Sequence, residues 1–478
     1  TLLGTGGSSV NFFDRKEIEE DDLFAAADED SAADSQFGVI GLKHNLLIDD
    51  KTYLRTVIAA SNSANIFYQD RFFNENTREE FSLRMFEVDN TTNRYSISSY
   101  INRKFNARLT GRAGVLVENE QYDLENITRE GTPDLDNDGT PDALAIYDFE
   151  EGSTMVQPFA QIQYRFTTQW TLNAGLHAQY LNLNDNFALE PRLAINWNFA
   201  PTQTLSIGYG LHQQNQPLPI LLIKEQVAEN TFVESNRDLK FTRSNHFVLG
   251  YDVKLGKNWR GKLETYYQTI DRVPVDPFAS SFSLLNLGAD FVFPDDAYGL
   301  VNEGTGYNTG VELTIEKFFS DGFYGLLTTS IFDSKYEGSD GIERNTAFNN
   351  GYVVNLLLGK EFKVGKRHAI TFDTKFTTAG GRYFTPIDLE ASKLAQLEVR
   401  DETQAFSQQF DPYLRWDVKF GFQLNSKKRK FSQQFYLDIQ NVLDRENIFI
   451  QRYNRQTNEI NNVLQAGFFP DFMYRIQF

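Results

Sequence analysis

The densest chemistry in this 478-residue chain sits in "DLDNDGTPD", where Asp134, Asp136 and Asp138 occupy alternate positions, followed by Gly139 and Asp142. Carboxylates at that spacing offer hard oxygen ligands to calcium, and the glycine permits the tight turn that would gather them. Position twelve of an EF-hand-type loop would be Ala145 rather than the bidentate Glu, so only the first half of such a loop is matched. The stretch lies closer to short Asp-rich calcium loops. It is also ordinary turn chemistry for a solvated acidic loop tip, and both readings stand at this stage.

Other residue types give less. His44, His177, His212, His246 and His368 fall on separate stretches, none with a second ligand two or four residues away. No serine, histidine and acid are singled out as a nucleophilic set, so no enzymatic activity is expected. Gly380 and Gly381 mark a strand bend or a close backbone approach rather than a phosphate cradle, since no G-x-x-x-x-G-K-[ST] pattern occurs. The acidic run "EIEEDDLFAAADEDSAAD" reads as a solvated loop, with attraction of a cation as the alternative. "RVPVDPFASSFSLLN" either packs on neighbouring loops or lines a cavity at the mouth of the fold.

These segments need elements to hold them, and the elements are strands. In "WTLNAGLHAQY", Trp170, Leu172, Ala174, Leu176, Ala178 and Tyr180 share one face, while Thr171, Asn173, Gly175, His177 and Gln179 share the other. In "NWRGKLETYYQ", Trp259, Leu263 and Tyr267 oppose Arg260, Lys262, Glu264 and Gln268. "FMYRIQF" puts Phe472, Tyr474, Ile476 and Phe478 together. Rings at both ends of an apolar face suit the two interfaces of a bilayer.

Connections alternate in length. Short ones fall at 49–51, 105–106, 166–168, 200–202, 256–257, 320–322, 364–365 and 426–428. Long ones fall near 14–36, 66–81, 120–152, 214–238, 272–304, 335–347, 380–410 and 444–469. One hairpin, at 182–186, is short on the long-loop side. Short turns on one rim and long loops on the other describe an outer-membrane barrel. About 18 antiparallel strands of roughly 10 to 20 residues are expected, within a single all-β domain over 1–478.

Composition agrees. Aromatic residues make up 14%, with 42 Phe and 22 Tyr, while mean hydropathy is −0.44. That combination fits strands apolar on one face only, and no apolar run reaches the ~18 residues of a membrane helix. A net charge of −19 argues against nucleic acid as a partner, and the absence of cysteine removes disulfides and thiolate metal sites. Arg192, Asn196, Lys262, Glu264 and Asp438 are expected to face the lumen.

Several stretches taken together resemble a known family. They are "LEPRLAINWNFAPTQTLSIGYGLHQQNQP", "DLKFTRSNHFVLGYD", "SSFSLLNLGADF", "LVNEGTGYNTGVELTIEKFF", "ERNTAFNNGYVVNLLLGKEF", "GGRYFTPIDLEAS" and "LDIQNVLDRENIF". From about residue 37 to Phe478 the chain is similar to the C-terminal barrel of TonB-dependent outer-membrane receptors of the Bacteroidetes type. The resemblance implies a barrel of about 22 strands, an N-terminal plug and a segment engaged by periplasmic TonB, the last two not found here. It therefore implies that strands and a plug precede Thr1. It also implies the outer membrane of a Gram-negative bacterium, in contact with lipid and lipopolysaccharide, and active uptake of a small solute: siderophore, peptide, glycan or cofactor. A surface lipoprotein is a further expected partner. A passive porin and a docking barrel for surface lipoproteins or a secretion complex are the alternatives. No cofactor is required beyond calcium in the 134–142 loop.

That calcium expectation has a direct test in calorimetric titration of the chain with calcium, wild type against Asp136→Ala. Heat in the wild type that disappears in the variant is expected; equal heats, or none in either, would remove calcium from the loop.

Overall fold

The alternation builds one continuous wall. A computed structural model describes residues 1–16, 28–74, 78–129, 132–134, 138–228, 231–288, 297–427 and 430–478. Its first nine wall strands are β1 (Leu2–Phe13), β2 (Glu29–Asp49), β3 (Thr52–Phe73), β4 (Phe81–Lys104), β5 (Leu109–Thr128), β6 (Leu144–Arg165), β7 (Trp170–Leu181), β8 (Asn186–Ala200) and β9 (Gln203–Gln214). Nine more follow: β10 (Thr242–Leu255), β11 (Trp259–Val275), β12 (Val301–Ser320), β13 (Phe323–Glu337), β14 (Tyr352–Val364), β15 (His368–Ala379), β16 (Tyr413–Asn425), β17 (Ser432–Gln440) and β18 (Phe469–Gln477). Each pairs antiparallel with the next, which makes 18 wall strands among the described residues and bears out the expected number. No ladder joins β1 to β18 among those residues, so the sheet is a row with two unpaired edges.

Neighbours in register carry the two-faced pattern around the wall. Trp170 lies opposite Trp197, and their rings stack at 5.1 Å with planes 8° apart. Phe199 continues that row to Tyr251 at 6.3 Å. Leu176, Leu193, Ile207, Leu249 and Leu263 are exposed on the same outer face, where a bilayer supplies their apolar surroundings. No helix among the described residues is long and apolar enough to cross a membrane.

The short turns fall where the sequence puts them, as at Ala200 to Gln203 and Ser320 to Phe323. The long-loop boundaries do not. β4 runs to 24 residues, and β2, β3, β5 and β6 extend several residues past the expected limits into the long-loop side. Cross-strand pairs explain the extension. Arg71 sits opposite Glu29 with Nε 2.8 Å from its carboxylate, and Arg84 opposite Asp70 at 2.5 Å. The ladder thus continues beyond the bilayer on cross-strand pairs, with charged side chains interrupting the apolar alternation that announces the strands lower down.

Above the short 182–185 connection the long loops build a core of their own. A helical turn, α1 (Leu218–Leu222), and the following Ile223 bury Ile220, Leu221, Leu222 and Ile223 completely. They pack with Leu181, Leu183 and Ala188 of the β7–β8 hairpin and with Tyr122, Leu124, Ile146 and Phe149 of β5 and β6. Each such aliphatic side chain contributes on the order of 2 kcal/mol by leaving water. Asn236, fully buried, donates from Nδ2 to Ile220 O at 3.0 Å and to Ala297 O at 2.5 Å, and accepts from Leu300 N at 2.8 Å. A buried amide with its groups satisfied fixes the register of three loop segments at once.

The Gly380–Gly381 pair is a close backbone approach, as its composition indicates. A β-carbon on Gly380 would overlap the Asn350 carbonyl oxygen, and one on Gly381 the Phe410 carbonyl oxygen. Gly380→Ala is therefore expected to cost about 1–3 kcal/mol. Gly38→Ala, where nothing lies within 4 Å, should stay within about 0.5 kcal/mol. Urea unfolding in micelles checks the pair, and equal midpoints would contradict the steric reading.

Candidate functional site

The inner face of β7 to β12 carries a continuous row of hydrogen-bonding side chains. Glu190 on β8 is its anchor at 1% exposure. Its Oε2 lies 2.8 Å from His177 Nδ1, directly across the β7–β8 ladder, and 2.8 Å from Arg192 Nη2. Its Oε1 accepts from Gln179 Nε2 at 2.7 Å and from the Gln213 backbone N–H at 2.6 Å. A buried carboxylate persists only with such saturation by donors.

The row continues through two more histidines. Gly210 is paired with His246, which brings the His212 and His246 rings to 4.7 Å in an edge-on arrangement. Asn308 Nδ2 donates to Gln268 Oε1 at 2.8 Å, so the Gln268 amide nitrogen is the donor to Ser244 Oγ at 2.7 Å and to His246 Nε2 at 3.0 Å. That histidine nitrogen is thereby an acceptor. Beside this row opens a cavity of about 580 Å³, lined by His246, Gln268, Tyr266, Phe332, Phe348 and Leu285 among others. Rings and amides side by side suit a ligand with both a flat apolar face and polar edges. They provide contacts and orientation, not covalent chemistry.

Loops close over the cavity. The end of β11 and the segment after it pack on their neighbours: Val273 and Val275 are buried, Tyr336 Oη donates to Ser281 O at 3.0 Å, and Ser281 Oγ donates to Glu402 at 2.7 Å. Leu285 from that segment lines the cavity as well, so both sequence readings of it are realised. Arg344 grips Asp340 through two bonds of 2.9 and 2.6 Å and holds that carboxyl below the usual carboxylate range. Thr403 and Gln404 do the same for Asp401.

At the 134–142 loop, Asp134 accepts from the backbone N–H groups of Asp138 and Gly139 at 3.2 and 2.9 Å. The Thr140 hydroxyl and amide bind Asp138 and lower its pKa. Asp142 donates its N–H to Pro133 O at 3.1 Å, and Asp136 lies outside the described residues. Residues 17–27 of the acidic run lie outside them too; its end is engaged, with Arg455 Nη2 2.8 Å from Asp28 and also bound to Glu29. Of the residues expected to face the lumen, Arg192 is bound to Glu190, and Lys262 lies 2.5 Å from Glu264. Asp438 stands opposite Lys419 in the β16–β17 ladder, and Asn196 opposite Thr171.

Sequence spacing missed the His212–His246 pairing and the Glu190 anchor. Both arise from ladder register, and the signal available was parity alone: His177, Glu190, Arg192, His212 and His246 all fall on the inward phase of their strands.

No curated protein sequence matches the chain. In fold it is similar to the outer membrane transporter YddB from Escherichia coli, with TM-score 0.65 and 13% identity over 99% of this chain and 66% of that one. The ferric preacinetobactin receptor BauA from Acinetobacter baumannii gives 0.61 and 13% over 99% and 69%. The pyoverdine receptor FpvA from Pseudomonas aeruginosa gives 0.63 and 10% over 94% and 62%. At these identities the likeness is one of fold, and the chain spans just under two thirds of YddB. Residues 3–442 match the family described as TonB dependent receptor-like, beta-barrel, so the match takes in β1 and all of β17. With its two-faced wall, short-turn rim and looped mouth, the chain belongs to the TonB-dependent receptor β-barrel family and is an outer-membrane barrel.

Proposed function

We propose that the protein takes up a scarce solute across the outer membrane in a TonB-dependent manner, the loops capturing it and the inner wall guiding it. The observation that supports this best is the family match over residues 3–442. The saturated polar row from His177 to Asn308 supports it as well, since it offers exchangeable hydrogen bonds along the lumen. The barrel residues bind and orient and carry no covalent step. TonB, lipopolysaccharide and a surface lipoprotein are partners under this reading, and the solute class stays among siderophore, peptide, glycan and cofactor. Calcium at 134–142 is a separate proposal resting on the spacing of its aspartates.

Growth of a deletion strain on limiting iron chelate, peptide, glycan or cobalamin tests the uptake reading. A defect on one source, reproduced by deleting TonB and relieved by supplying that source in excess, is expected. A defect indifferent to TonB, with open-channel conductance of the purified protein, would make it a porin. No defect, together with a surface protein that co-purifies in detergent, would make it a docking barrel.

A further inference from the structure

The cavity beside the polar row is built in three tiers, set by the ladders that join β11, β12 and β13. Gln268 lies opposite Asn308, and Asn308 opposite Ser334. One step nearer the short-turn rim, Tyr266 faces Gly310 and Gly310 faces Phe332. One step further, Glu264 faces Glu312 and Glu312 faces Ser330. Side chains of all three tiers line the cavity of about 580 Å³.

The middle tier is aromatic. A β-carbon on Gly310 would lie 2.6 Å from Tyr266 Oη and 2.9 Å from Phe332 Cβ, so the Tyr266 ring crosses over the glycine towards Phe332. Phe348, from the connection before β14, adds a third ring to the lining. The lowest tier is acidic. Like charges directly opposite on a ladder, with Cβ atoms about 5 Å apart, repel and weaken the sheet. Lys262 answers one of the two, its Nζ 2.5 Å from Glu264. Arg260 is taken by Asp252 at 2.5 Å, with Glu316 at 4.0 Å. Glu312 is exposed and has neither an ion pair nor a hydrogen bond to its carboxylate among the described residues. Lys335, the one lysine or arginine lining the cavity among those residues, donates to Asn345 Oδ1 at 2.6 Å and lies 3.8 Å from Asp333. In the first tier Asn308 Nδ2 donates to Gln268 Oε1, and its own oxygen meets no donor among the described residues. The lining is rich in acceptors, and its cation is already engaged.

Such a lining selects its complement. A carboxylate beside the faces of aromatic rings suits a guanidinium or an ammonium, which makes a charge-assisted hydrogen bond to the one and a cation–π contact with the others. An anionic chelate would bring like charge to Glu312 and find no free cation. A neutral sugar ring would stack on the aromatics but leave Glu312 opposed to Glu264.

We propose that this cavity is a binding site for the guanidinium or primary ammonium group of a basic oligopeptide, held between Glu312 and the rings of Tyr266 and Phe332. The amide tier of Gln268 and Asn308 fits the peptide groups that carry such a side chain. The proposal rests on the uptake reading and names the solute class within it.

Calorimetric titration of the full-length protein in micelles with tri-arginine, and with uncharged tri-citrulline of the same shape, tests this. Tri-arginine should bind more tightly by about tenfold. Glu312→Gln should lower its affinity by about tenfold and leave tri-citrulline unchanged. Phe332→Leu keeps the apolar cover and should lower it by about threefold; this variant carries the test if Glu312→Gln does not fold. Asp438→Asn, five strands away on β17, removes the same charge and should alter the affinity by less than about twofold. Equal affinity of the wild type for the two peptides, or an unchanged ratio in either folded variant, would overturn the proposal. So would an equal loss in Asp438→Asn, which would assign the attraction to the net charge of −19, and so would a preference for tri-glutamate. Entry of labelled tri-arginine into cells with and without TonB is read separately. Selective binding without TonB-dependent entry supports the cation site and counts against uptake, whereas TonB-dependent growth on another solute without that selectivity overturns the cation site alone.

Discussion

A strand that crosses hydrocarbon has no water to take its backbone hydrogen bonds, so every N–H and C=O must be handed to a neighbouring strand. The rest of this molecule follows from that exchange. Eighteen wall strands run antiparallel to their sequence neighbours because only adjacent, hairpin-linked pairing satisfies each ladder without a crossover. Once the ladder is fixed, side chains have two destinations. The outer one selects Leu176, Leu249 and Trp259, and the inner one selects Glu190, His246 and Gln268.

The two environments also set where polar side chains are costly. On the inner wall a carboxylate as enclosed as Glu190 is held by His177, Gln179, Arg192 and the Gln213 amide, so it works as a structural rivet rather than a reactive group. Above the membrane, water competes for every charge, and pairs such as Arg71 with Glu29 serve mainly to carry the ladder upward. Arg455 reaches across to Asp28 and Glu29, tying the 441–468 connection to the start of β2. Burial works against its charge, but the two carboxylates outweigh that and hold its pKa above the ordinary value.

What could be read from the sequence follows the same division. Inside the bilayer the contrast between faces is large, so "WTLNAGLHAQY" announced its strand, its outer face and the inward direction of His177. Turn positions were legible because tight connections interrupt the alternation. Beyond the bilayer the charged residues multiply, and the upper parts of β2, β3, β5 and β6 read as loop although their ladders are intact. "LPILL" has an apolar run without a periodic partner nearby in sequence; its packing against Leu181 and Ile146 is a product of three-dimensional folding alone. The inner row was half legible. Parity gave the face, while the meeting of His212 with His246 required the register between β9 and β10. At 134–142 the acidic spacing was plain, but two of its carboxylates serve backbone and hydroxyl donors in the loop itself.

The core built around α1 has a consequence for how this barrel can diversify. Its buried faces come from β5 and β6, the β7–β8 hairpin, and connections 215–241 and 276–300 together, with Asn236 bonded into two of those segments. A loop grafted alone from a relative would strip cover from Ile146, Leu181 and Leu300 and leave buried amide groups unmatched. Surface variation in this sector is therefore not modular at the level of the single loop. A replacement that keeps this core intact must move the block from β5 to the start of β12 together, or stay at its exposed fringe.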